Sequence, residues 1–169
     1  MGKKTSNKIN SRNLLIDLLC FIFIGGVFGL LAMPYVKYEL SLIIGSGSST
    51  TSGYELLNFD ANASVATVIL LLIIFASLAV LFTIIKMLTD ARIIKNKKLA
   101  KLAGVILVIM ALALFVLSIV SLIIVASNCK SNGFYNIVSA GSYAGWLGLI
   151  LTSVSCLFSF ILSIFSIKK

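Results

Sequence analysis

The sequence predicts an all-α membrane protein: a four-transmembrane-helix bundle with a small extracellular β-hairpin in its first outer loop. Three observations predict this fold. Hydrophobic residues make up 60% of the 169 positions and charged residues 11%, with a mean hydropathy of +1.14; soluble domains carry about 25% charge. A soluble fold of this size could not hide so much apolar surface, so lipid must be the solvent for most of the chain. Charges also divide the chain into long uncharged runs: 19 residues between Asp17 and Lys37, 25 between Asp60 and Lys86, 28 between Lys101 and Lys130, and 37 between Lys130 and Lys168. Finally, those runs lack period-2 alternation, which in lipid selects helices, whose backbone amides bond within their own segment.

Residues 1–13 form a basic cytoplasmic tail, and 14–169 a single transmembrane domain. About 20 apolar residues cross the hydrocarbon, which places helices at about 15–35, 64–86, 102–126 and 143–166. The fourth uncharged run is too rich in Ser, Asn and Gly near its start to hold two crossings. The first helix imitates a signal peptide but lacks a good small-residue cleavage site, so an uncleaved anchor is expected. "MGKKTS" fits the N-myristoylation pattern and is taken as chance, as is the "NAS" sequon at Asn62.

Pro34 ends helix one. The first outer loop, about 35–63, opens with "YVKYELSLII", which places Tyr38, Leu40 and Leu42 on one face of an alternating strand. "GSGSSTTSG" reads as the turn, and "YELLNF", containing Tyr54, as the returning strand. Tyr38, Leu40, Leu42 and Tyr54 are the candidate partner-contacting residues, because a hairpin edge accepts strand addition; the plain alternative is a disordered linker over 45–53. The second outer loop, about 127–142, is read as irregular, with Tyr143 and Trp146 opening helix four at the membrane interface. Cys129 lies in this loop, without an intramolecular partner on that side.

Charge sets the orientation. One side holds Lys3, Lys4, Lys8, Arg12, Lys86, Arg92, Lys95, Lys97, Lys98, Lys101, Lys168 and Lys169 against Asp17 and Asp90; the other holds Lys37 and Lys130 against Glu39, Glu55 and Asp60. Cationic loops stay cytoplasmic, so a multi-pass protein of the cell membrane with both termini cytoplasmic is expected. Arg92, Lys95, Lys97, Lys98 and Lys101, in the cytoplasmic loop about 87–101, are candidates for contact with anionic lipid head groups, at about 1 kcal/mol per cation. No aromatic platform accompanies them, which argues against a nucleic-acid partner.

The chemistry of enzymes is missing its usual parts. There is no histidine, no metal-ligand spacing and no intramembrane lysine for a Ser–Lys pair. No catalytic residue, cofactor or metal is expected. Asp17 is read as lying close to the cytoplasmic end of helix one, within reach of water or Arg12. Packing chemistry remains: Gly25-x-x-x-Gly29 in helix one, Gly141-x-x-x-Gly145 and Ala144-x-x-x-Gly148 opening helix four, and Ser155, Ser159 and Ser163 on one face of helix four. These are candidate helix-packing positions within the bundle, in an oligomer, or along a polar path.

Four helices with both ends inside, a longer first outer loop with strand character and a short second one resemble the claudin-like tetraspan plan. The W-GLW motif and cysteine pair of claudins are missing from loop one, so barrier or pore activity does not carry over. "MPYVKYELSLI…TSGYELL" and "AGSYAGWLGLIL" resemble small four-transmembrane-helix proteins of unknown function from low-GC bacteria, a resemblance that brings no activity; the preference for Lys over Arg fits such a source. The leading expectation is therefore a non-enzymatic structural or interaction subunit that packs laterally with itself or with a membrane protein partner. The alternatives are an immunity or accessory protein of a membrane partner, and a small channel or transporter acting as an oligomer.

Overall fold

The computed structural model describes residues 11–42, 45–57, 63–128, 131–134, 138–144 and 146–167. Its elements run α1 (Ser11–Leu30), β1 (Pro34–Leu42), β2 (Gly45–Ser52), a 3-10 turn (Glu55–Leu57), α2 (Ala63–Asp90), α3 (Lys97–Asn128), β3 (Ser131–Phe134), β4 (Val138–Ala144) and α4 (Trp146–Ile167). Among the described residues, four helices are long and apolar enough to cross a membrane, the mark of a multi-pass membrane bundle. Each helix packs against two neighbours in a closed ring: α1 on α2, α2 on α3, α3 on α4, and α4 back on α1.

The ring turns large apolar side chains outward. Leu15, Ile22, Leu81, Ile109, Ile123 and Leu147 are each more than half exposed, the arrangement lipid favours. Inward lie Ile24, Ile69, Leu72, Leu107 and Leu114 with small residues such as Ala66, Ala76, Ala79 and Ala111. Small side chains let helix backbones approach, which replaces the hydrophobic drive that lipid cannot supply.

Two helix termini carry clear local causes. Asn96 caps α3, its Oδ1 accepting from the amides of Lys98 and Leu99 at 3.1 Å each; a side-chain oxygen there satisfies amides the helix leaves free. At the end of α2, Arg92 adopts φ 61°, and the amide of Ile93 returns to the Leu88 carbonyl at 3.0 Å. This left-handed residue reverses the chain and closes the helix, and α2 runs past Lys86 to Asp90.

At one end of the bundle the two connections merge into a single antiparallel sheet, in the order β2-β1-β4-β3. β1 pairs with β2 from Pro34↔Ser52 to Leu42↔Gly45, and with β4 from Val36↔Ala144 to Leu42↔Val138. Three sequence expectations are corrected here. The returning strand is the Gly/Ser segment itself, not "YELLNF", of which Glu55–Leu57 form the 3-10 turn. The second connection holds the hairpin β3–β4 rather than irregular loop, and α4 begins at Trp146. Tyr143 belongs to β4. The reason is common to all three: β1 has two edges whose amides and carbonyls need partners, and small residues offer no steric objection to supplying them. Cys129 and the sequon at Asn62 lie outside the described residues.

Candidate functional site

Two polar constellations stand out, one at each end of the bundle. At the sheet end, β1 is fixed to α4. Tyr35, fully buried, shares a 2.7 Å hydrogen bond with Thr152 Oγ1. Gly148 makes room for this approach: a side-chain carbon there would lie 2.9 Å from the Pro34 carbonyl oxygen and 3.1 Å from Tyr35 Cδ1. The far end of β2 is fixed to α1. Tyr54 donates through its hydroxyl to the Phe28 carbonyl at 2.8 Å and through its amide to the Leu31 carbonyl at 3.3 Å. Between them, Glu55 accepts from the Ser52 amide at 2.6 Å and from the Ser52 hydroxyl at 3.0 Å. Those donors hold its carboxyl below the usual carboxylate range.

At the opposite end, a charge cluster is buried inside the ring. Lys86 of α2 donates to both oxygens of Asp17 of α1, at 3.1 and 3.2 Å, and to Asp90 at 2.8 Å. Ser166 of α4 donates to the same Asp17 carboxylate. Asp17 is wholly buried and the Lys86 side chain is 5% exposed. α3 contributes by being small: a side-chain carbon on Gly104 would lie 3.1 Å from Ile167 Cγ1 and 3.4 Å from Lys86 Cε. Four helices thus meet around one ammonium, whose three donors match three carboxylate oxygens.

This cluster corrects two expectations. Asp17 takes its cation from Lys86, not from the exposed Arg12. A lysine does lie within the helical bundle, although its donors are spent on two carboxylates, and Ser166 addresses Asp17. Placing Lys86 at the very end of its helix, among the cytoplasmic cations, hid this. The available signal was its spacing from Asp90, i to i+4, which pairs opposite charges along a continuing helix.

The serine face of α4 points inward. Ser155, Ser159 and Ser163 are all buried. Ser155 crosses to α1, donating to the Phe23 carbonyl at 2.8 Å, whereas Ser159 and Ser163 donate to the Cys156 and Phe160 carbonyls of their own helix, 2.7 Å each. Among the described residues, no buried side-chain nitrogen or oxygen lacks a partner.

The glycine motifs divide differently from expectation. Gly141 lies in β4, so the Gly141-x-x-x-Gly145 pair is no helix motif, and Gly145 lies outside the described residues. Gly148 admits a strand rather than a helix. Gly25 and Gly29 have nothing within 4 Å of where a side chain would start, while Gly26 faces Ser155 Oγ at 3.8 Å. Tyr38, Leu40 and Leu42 lie in β1, which is the inner strand flanked by β2 and β4, so strand addition at β1 is closed off. Lys95, Lys98 and Lys101 are exposed, as is Arg92, and Lys97 opens α3. No group of His, Cys, Asp and Glu with metal-binding geometry occurs among the described residues.

These features define a class, a four-helix membrane bundle capped by one sheet drawn from both connections. No protein-family model matches the chain, and no curated protein matches it significantly.

Proposed function

We propose that this protein is a non-enzymatic membrane interaction subunit that presents its sheet outside the cell and engages a second polypeptide along the β2 edge. One observation carries the reading. The two connections build a four-stranded sheet anchored to the helices through Tyr35, Gly148 and Tyr54, far more structure than joining helices requires. Residues 47–50 of β2 are exposed, and β2 is an outer strand of the sheet, with main-chain groups available for pairing. The cationic turn at 91–96 and the α3 start, at the other end, support a cytoplasmic placement for that end and contact with anionic lipid.

The internal bonding of Ser155, Ser159 and Ser163 favours packing over a solute path. A photo-crosslinking residue at Ser48 or Thr50, in the full chain in its native membrane, tests the proposal. A discrete protein adduct, from a second copy or another chain, is expected. Adduct levels equal to those from lipid-facing Leu112 would overturn it.

A further inference from the structure

The helix connections are distributed unevenly between the two ends. α1 passes to α2, and α3 to α4, by way of the sheet, where strand pairing and the bonds of Tyr35 and Tyr54 fix the helix ends. At the opposite end only α2 and α3 are joined, through the turn at 91–96. There α1 and α4 are held by side chains. The seam between α1 and α2 is also the least extensive of the four in the ring. Across that seam stands the Lys86–Asp17 ion pair, with Ser166 of α4 bonded to the same carboxylate.

We propose that the Lys86–Asp17 pair is a clasp. The bundle opens at the end away from the sheet, along the α1–α2 seam, and the ion pair holds that opening shut. An apolar seam in lipid can loosen by small degrees, since hydrocarbon tails fill whatever space the parting side chains vacate. A buried ion pair cannot, because its separated charges must each find water or another partner. The pair is therefore two-state, closed or hydrated, and a two-state element converts small displacements into discrete conformations. One turn from the pair along the same helices lie other buried polar groups able to receive water once it opens: Asn13 of α1, and Thr83 and Thr89 of α2. The proposal does not depend on what the sheet binds.

The chain carries its own reporter. Cys20 is fully buried one turn toward the sheet from Asp17, its thiol donating to the Ser159 carbonyl at 3.6 Å. The full chain, with Cys129→Ser and Cys156→Ala, is placed in lipid nanodiscs, and the rate of Cys20 modification by aminoethyl methanethiosulfonate is measured. Lys86→Met, and separately the shape-preserving Asp17→Asn, should raise this rate on the order of tenfold or more through local opening. A second reporter separates local opening from loss of the fold: Val27→Cys, on the buried face of α1 nearer the sheet, in a Cys20→Ala background. Its rate should stay within about twofold in both variants. Unchanged Cys20 rates in both variants would overturn the clasp. So would a Val27→Cys rate that rises in step with Cys20, since the pair would then hold the whole fold rather than one seam.

Discussion

A lysine whose side chain is 5% exposed, between a wholly buried carboxylate and a second one 13% exposed, is costly unless every group is bonded. Taking charges out of water costs several kcal/mol per ion, repaid only by good geometry and additional hydrogen bonds. Here Ser166 and Asp90 supply the additional bonds. Removing one partner is much worse than never having had the pair. Lys86→Met, which leaves two carboxylates without their cation, should cost about 3–5 kcal/mol at that end of the bundle, most of it relieved by local hydration, so the shift in detergent-driven unfolding should be clearly smaller than this. Glu55 behaves differently because it is exposed. Its carboxyl is held low by the Ser52 amide and hydroxyl, so the carboxylate's contribution to the turn is fully present above the ordinary carboxylate range. It fades as the pH falls through and below that range. The Ser52 amide, followed by nuclear magnetic resonance, should lose its hydrogen-bonded shift on acidification, and Glu55→Gln should remove most of that pH response.

Elements differ in how plainly the sequence announces them. The helices were legible because uncharged runs of membrane length admit no other backbone solution, and β1 was legible because Val36, Tyr38, Leu40 and Leu42 alternate with polar neighbours. β2 and β4 were not. "GSGSSTTS" and "VSAGSYA" carry little intrinsic strand preference, and sheet position, not propensity, decides such segments. The same context dependence separates the glycines. Gly148→Ala should push β1 away from α4, because the added carbon would meet the Pro34 carbonyl oxygen at 2.9 Å. Gly25→Ala and Gly29→Ala meet open space and should be neutral or stabilising, by up to about 1 kcal/mol each from helix propensity. Parallel thermal denaturation of the three variants in one detergent checks this, with Gly148→Ala expected lowest.

For the molecule as a whole, sequence reasoning located the ends of the bundle but not how each end is closed. Lysine distribution predicted one cationic end, yet the pairing of Asp17 with Lys86 depends on helices meeting far along the chain, and no local pattern encodes that. Cysteine substitutions at Ser11 and Thr50, each in a background lacking Cys129, should therefore differ in intact cells. A membrane-impermeant thiol reagent should reach Thr50→Cys and miss Ser11→Cys; the reverse pattern would invert the orientation. The sheet carries a last consequence, for biosynthesis. β1 finds β2 at once, but its other neighbour, β4, lies roughly a hundred residues downstream. At about 5–20 residues per second, that second edge stays unmatched for about 5–20 seconds, while two further helices enter the bilayer. A nascent chain stalled before residue 138 would leave that edge of β1 unpaired and open to strand addition, which defines an interval in which it needs shielding.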